Sequence, residues 1–318
     1  MIKSIGSPLE SMNTTNEILQ RYADQDRNFQ NLDLGRISLS RIDLRGADFS
    51  HANLNGAELS HADLSGAKLV WTDLNRANLT QANLTGADLL HSSLFWSNLQ
   101  GANLTKAYLS NARLNHANLA FSCLYQASLA EASLEGAALV QANFSQANLF
   151  KASLKGSDLT RAILNDANLS QTNWEEAILT SAFLQRVDLE ESNLCEAILQ
   201  KADLTDANLV SANLSHADLT CATLRHIALE LAILINADLS YADLTLASLF
   251  KANLAGAILH SANLVEADLR YAHFNSAQLE GVNFSHARVK GACFTDAQGL
   301  TLEQKQWLKA NGALNITI

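Results

Sequence analysis

Apolar and polar residues recur along this chain with a period of five, which fits neither a helix (3.6 residues per turn) nor a plain strand (two). The stretch ANLTQANLTGADL, residues 77–89, shows the pattern. Counted by fives from Phe29 to Phe294, every position is large and apolar, and 46 of these 54 centres are leucine. Two residues before each centre sits a small one: between positions 32 and 292, 40 of 53 are alanine. The position between them favours Asp or Asn, and the two positions after the centre are variable and polar. The phase never slips, so no loop interrupts the span.

A fixed period of this kind predicts a solenoid. Each unit turns one large and one small side chain inward and three outward. It makes one flat side and then a corner, and a closed tube needs several sides. Backbone groups would bond to the coils above and below, which suits a chain whose one proline, Pro8, lies outside the repeats.

The A-(D/N)-L-x-x pattern, carried from residue 29 to about 297, resembles the pentapeptide-repeat proteins. That resemblance implies an all-β solenoid, a right-handed quadrilateral β-helix with four units, hence 20 residues, per coil. The 54 units then make about 13 coils, and roughly 4.8 Å per rung gives a rod about 65 Å long. The expected organisation is an N-terminal tail and capping helix over 1–28, the β-helix over 29–297, and a C-terminal capping helix and tail over 298–318. The Asn-rich repeats and the GLTLEQKQWLKANGALN ending resemble cyanobacterial members of the family.

Both open ends need covering. Leu32, Ile37 and Ile42 stand where alanine rules later and would fill the first coil. TTNEILQRYA before them reads as a short helix, with Thr14 and Glu17 in capping-box spacing. At the far end the centres swell to Phe274, Phe284 and Phe294. In GLTLEQKQWLKANG, Thr301 is placed as N-cap, Gln304 at the third helical position and Gly312 as the stop, with Trp307 and Leu308 as the lid. A dimerising role for this helix stays open, so the chain is expected to be a monomer or a dimer through a terminal cap. At Trp174, a central tryptophan is expected to displace its neighbours or swell the tube.

A 20-residue coil places residues 20 apart directly above one another, so clusters can be sought by arithmetic. None of the nine histidines has another 20 residues away, and one alone, His273, has a cysteine at that spacing, Cys293, a single pair too small for a zinc site. Cys123, Cys195, Cys221 and Cys293 lie far apart, which suggests neither a disulfide framework nor a zinc site. No nucleophile-elbow, phosphate-loop or metalloprotease motif occurs, and an uninterrupted tube offers no deep cleft. The expectation is no enzyme, no metal and no cofactor. No apolar run approaches a membrane span and the start carries no hydrophobic leader, so the expected compartment is the cytoplasm; Met12 could equally be the natural start.

Charge refines the picture. Three trios at 20-residue spacing alternate in sign: Asp48–Lys68–Asp88, Glu135–Lys155–Glu175 and Asp166–Arg186–Asp206. Their expected role is to discourage register slips. Residues 27–120 carry 7 acids and 8 bases, whereas residues 121–220 carry 13 acids and 5 bases, a net −8 within a chain of −10. This balance excludes a basic nucleic-acid groove.

Two functions remain. The first is a non-catalytic scaffold or regulatory module whose flat sides dock an unidentified protein partner. The second follows from the resemblance: some acidic pentapeptide-repeat rods imitate duplex DNA, bind DNA gyrase and confer quinolone resistance. Two surfaces stand out. Val70, Trp71, Leu90, Phe95 and Trp96 put apolar side chains on the outside of the N-terminal half, round one corner. In the acidic middle, Ile163, Phe183, Ile178 and Ile198 occupy the slot usually given to Asp or Asn, with Glu175, Glu176, Glu190, Glu191 and Glu196 around them as an acidic rim. An apolar centre with such a rim suits a basic protein partner.

Overall fold

Each five-residue unit has five backbone N–H groups to place, and the computed structural model, which describes residues 15–317, shows where they go. In the unit from Asp48 to Ala52, Asp48 N–H donates to the previous coil (Arg27 O, 2.7 Å), while Phe49 and His51 donate to the next (Lys68 O, 2.8 Å; Val70 O, 2.9 Å). Ala52 N–H closes a turn on Phe49 O at 2.9 Å. The remaining donor, Ser50 N–H, has no ladder partner and is taken by the Asp48 side chain (Oδ1, 3.0 Å). The same side-chain bond recurs along the rod, for example from Thr85 to Asn83, Thr160 to Asp158 and Val265 to Asn263. The preference for Asp or Asn before the centre is therefore a backbone requirement, met as in an Asx turn.

The turn also explains the composition of the corner. The second residue after each centre holds a positive φ, whether it is Gly46 (65°), Trp71 (57°) or Leu231 (60°). That conformation is strongly disfavoured for β-branched side chains. None of the 54 corner positions is Val, Ile or Thr, although all three appear one residue earlier, at Val70, Thr80 and Ile235.

Consecutive coils pair through parallel bridges between residues twenty apart, from Asn28 with Asp48 to Gln278 with Gln298. Four units thus make one coil, and the tube has four sides. We number them 1 to 4 by the bridge residues Asn28, Asp33, Ser38 and Asp43 of the first coil. Every centre from Phe29 to Phe294 is buried, and the small residues before them fill the space between. Truncating one such leucine to alanine costs about 2–5 kcal/mol.

Trp174 does not swell the tube. It is fully buried, and the ladder beside it keeps its spacing: Leu154 N–H to Asn173 O and Trp174 N–H to Asn193 O are both 2.7 Å. Its indole N–H donates to Thr172 Oγ1 at 2.6 Å, and Thr172 in turn contacts Ser192 Oγ at 3.1 Å. The Thr172 hydroxyl, at a position usually given to alanine, satisfies the one polar atom the large ring brings inside, and the Ser192 hydroxyl above it contacts Thr172.

The ends close as the sequence suggests, with one addition. Helix α1 (Thr15–Ala23) buries Ile18 and hydrogen-bonds the first coil through Thr15 Oγ1 to Ser38 O (2.7 Å) and Tyr22 Oη to Arg45 O (3.0 Å). Ile37 is buried, and Leu32 and Ile42 pack half-buried against the core. The capping box expected from Thr14, and the alternative start at Met12, lie outside the described residues. Helix α2 (Leu302–Ala310) carries the capping box of Thr301 and Gln304 and buries Leu308; Trp307 is half-buried against the core. The chain then turns at Gly312 (φ 85°) and adds one more rung: Leu314 pairs with Cys293, and Gly312 O accepts from Gly291 N–H at 2.8 Å.

The corner rule is testable. Gln141→Val places a β-branched side chain at φ 55° and is expected to lower stability by about 1–2 kcal/mol, whereas Thr160→Val, one residue earlier in a repeat, should cost about half that. Chemical unfolding followed by circular dichroism compares the two, and equal losses would contradict the rule.

Candidate protein-docking surfaces

The bridge register puts the apolar residues of the acidic middle on two adjoining sides. Ile178 pairs with Ile198 on side 3, and Ile163 with Phe183 on side 4. Phe183 is 45% exposed, enough for its ring to meet another molecule; the three isoleucines are half-buried. Each gives up the side-chain acceptor that normally takes a backbone donor. Gln185 N–H is rescued from the neighbouring coil by Asn165 Oδ1 at 3.1 Å, but Asn165, Thr180 and Gln200 N–H have no acceptor among the described residues. Losing one such bond costs about 1 kcal/mol.

The expected acidic rim is only half present. Glu176 and Glu196 occupy the corner between sides 2 and 3, beside Ile178 and Ile198, and Glu175 adjoins them. Glu190 and Glu191 instead lie at the corner between sides 1 and 2, a full side away from either apolar pair. They follow Asp188 on side 1, and nearness in sequence is not nearness on a square tube. The opposite edge of side 3 carries Arg161 and Lys201.

The charge trios are lopsided too. Lys155 bonds Glu175 (2.9 Å) and reaches Glu176 (3.7 Å), while Glu135 accepts from Ser153. Arg186 grips Asp166 with two bonds of 2.7 and 2.8 Å, and Lys68 reaches Asp48 at 3.9 Å. Each cation thus chooses one of its two acidic neighbours. The Arg186 hydrogen bonds hold the Asp166 carboxyl below the usual range. For Asp203 and Asp218 burial pushes the carboxyl upward, but the Thr205 and Thr220 hydroxyl and amide donors, with Gln185 and Gln200, outweigh it and leave both lowered.

The N-terminal group surrounds two corners rather than one. Val70, Trp71 and Leu90 stand at the corner between sides 1 and 2, and Phe95 and Trp96 at the corner between sides 2 and 3. Trp71 (56%) and Trp96 (62%) are exposed, whereas Val70, Leu90 and Phe95 are half-buried. Each tryptophan stacks on a histidine one coil up: Trp71 on His91 (centroids 4.3 Å) and Trp96 on His116 (4.5 Å). A Cβ at Gly136 would lie 2.6 Å from His116 Nδ1, so this glycine leaves room for the ring. Between the corners side 2 carries an open groove of about 460 Å³ lined by Trp71, His91, Asp73 and Arg113 among others. The described N-terminal residues lie on the first coil and leave both tryptophans open.

A third surface had no counterpart in the sequence reading. Leu231 and Tyr271 at the corner of sides 1 and 2, with Ile233 on side 2, are exposed, and Tyr271 meets Phe250 edge-on at 5.8 Å. The signal was available: Ile233 fills an Asp/Asn slot as Ile163 does. Among the described residues no group of three or more His, Cys, Asp or Glu could hold a metal ion, and no helix is long and apolar enough to cross a membrane.

The model of the Pentapeptide repeats family matches eight copies that together run from residue 28 to 297. The chain belongs to the pentapeptide-repeat family. Its members fold as right-handed quadrilateral β-helices, and the twenty-residue coil here has the four sides of that fold. No curated protein matches. Among solved structures, HetL, a pentapeptide repeat protein involved in heterocyst differentiation regulation from the cyanobacterium Nostoc sp. strain PCC 7120, is 33% identical over 90% of this chain and 98% of its own (TM-score 0.21). Rfr23, from the cyanobacterium Cyanothece 51142, is 31% identical over 38% of this chain and 89% of its own (TM-score 0.22). QnrB1, a plasmid-mediated fluoroquinolone resistance protein, is 15% identical over 71% and 98% (TM-score 0.29).

Two measurements follow from these surfaces. Trp71→Ser with Trp96→Ser should leave the melting temperature nearly unchanged, because both rings are exposed; a large loss would mean that they hold the fold. The lowered carboxyls Asp166, Asp203 and Asp218 contribute to the acid limb, together with Asp26, Asp43, Asp48 and Asp268. Their folded values lie below the unfolded value of about 3.9, so their contribution is complete above about pH 4 and fades as pH falls through the lower folded values. Asp203→Asn with Asp218→Asn keeps the acceptor oxygen and should make the fall of melting temperature below about pH 4 shallower.

Proposed function

We propose that this pentapeptide-repeat protein is a non-catalytic rod of about 13 coils that docks another protein on the apolar sides of its acidic middle. The observation that carries this reading is the substitution of Ile163, Ile178, Phe183 and Ile198 into a slot that the backbone wants filled by an acceptor. The rod gives up hydrogen bonds there and gains only partly covered apolar surface. An exchange unfavourable for the isolated chain suits a surface that a partner completes. The Glu175, Glu176 and Glu196 edge adds electrostatic selection of the partner. Val70, Trp71, Leu90, Phe95 and Trp96 form a secondary contact on the N-terminal half. The compartment that fits this role is the cytoplasm.

The net −8 over residues 121–220 supports a second reading, an acidic rod that binds DNA gyrase as a duplex mimic. Magnitude weighs against it: those five coils span about 24 Å, one net charge per roughly 3 Å, where duplex DNA carries one per about 1.7 Å. The first half of the rod is close to neutral.

Phe183→Ser with Ile198→Ser tests the first reading. The expected outcome is loss of the proteins that wild type captures from lysate, identified by cross-linking and mass spectrometry, with unchanged circular dichroism. An unchanged set of captured proteins would remove this surface from consideration. A supercoiling assay with purified gyrase decides the second reading, for which inhibition by wild type is required.

A further inference from the structure

Side 3 has a symmetry that points to its occupant. Ile178 and Ile198 form an apolar strip along the rod, bounded on the side 2 corner by Glu176 and Glu196 and on the side 4 corner by Ser181 and Lys201, with Arg161 one rung before it beside Asp158. Glu196, Arg161 and Lys201 make no ion pair or side-chain hydrogen bond among the described residues, and Glu176 has only Lys155 at 3.7 Å. An acid and a base, Glu196 and Lys201, therefore flank Ile198 on opposite edges, both unspent.

Resting on the docking reading of this surface, we propose that side 3 binds a second copy of the same chain, the two rods lying parallel about a two-fold axis that runs along them. Such an axis sets side 3 against side 3 and exchanges left and right. Glu196 of each copy then faces Lys201 of the other on the same rung, and the isoleucines meet on the axis. A two-fold across the rods would instead place Glu196 against Glu196 and Lys201 against Lys201. The interface is isologous, so one complementary pair is made twice.

Two further features favour a second rod over a globular partner. Copies of one solenoid share one rise per coil, so a parallel contact repeats in step at every rung of about 4.8 Å. Two isoleucines alone bury far less than the roughly 800 Å² per partner of a stable interface. A parallel pair extends the contact past the strip, where Asn78, Asn98, Asn118 and Ala138 on the same side are short enough for close approach. The Asp158 and Asp218 carboxylates at the ends of the strip already accept from Thr160, Thr220 and Gln200. These bonds hold the two carboxylates, which bound the strip.

Charge reversal tests the arrangement on the full chain by analytical ultracentrifugation. Wild type should sediment as a salt-sensitive dimer of the 34.4 kDa chain. Lys201→Glu and Glu196→Lys should each raise the dimer dissociation constant at least tenfold. An equimolar mixture of the two variants should recover dimer, because each then presents one sign on both edges, and the double variant in one chain should recover it as well. Circular dichroism of each variant confirms that the rod is intact. A monomeric wild type, or a dimer untouched by both reversals, overturns the proposal. If wild type is monomeric yet Phe183→Ser with Ile198→Ser loses captured proteins, the docking surface stands and only its occupant is wrong. If those proteins are retained as well, both fall.

Discussion

One backbone donor governs the surface of this rod. Four of the five N–H groups in a unit find partners in the ladder or the turn, and where Asp or Asn stands before the centre its side chain takes the fifth. A polar column of Asp and Asn on every side is the result. It caps the turns and links neighbouring coils, as in Asn53 to Asp33 (2.7 Å) and Asn83 to Asp63 (2.9 Å). The preference is local and repeats, and the large apolar residues Ile163, Ile178, Phe183 and Ile198 depart from it.

The interior obeys a simpler rule. Leucine over leucine and alanine over alanine fill a tube whose cross-section is fixed by the ladder, so a larger side chain must bring its own accommodation. Trp174 does so through Thr172 and Ser192, and the register passes it without a break. Packing and polar satisfaction are solved within two coils and leave the rest of the rod unaffected, as expected of a nearly one-dimensional structure.

Much of this was legible in the sequence, because a period of five with an unbroken phase leaves few arrangements of inward and outward positions. The centres, the capping residues Thr301 and Gln304, and the pairing of Ile178 with Ile198 all follow from counting. What counting missed has physical causes. Glu190 and Glu191 were grouped with the apolar strip by closeness in sequence, while the square corner sends them to another side. Counting makes Val70 and Leu90 outward residues, but the position directly after a centre is half-covered by the neighbouring coils. The stacks of Trp71 on His91 and Trp96 on His116 were within reach of the same arithmetic, since each pair is twenty apart. The left-handed corner leaves its trace only as an absence, the missing Val, Ile and Thr.

The final rung has a consequence for what can grow on this end. A continuing helix would pair Cys293 with the residue twenty on, whereas Leu314, after the excursion through α2, takes that place at an offset of twenty-one. Gly312 and Leu314 carbonyls accept from Gly291 and Phe294 N–H of the last coil, and Gln304 of α2 holds the Val282 carbonyl at 2.8 Å. A stack of identical coils is a template for its own extension, as a fibril end is. Here the template is blunted by a strand out of step with it, which favours a rod of fixed length over an open-ended fibre.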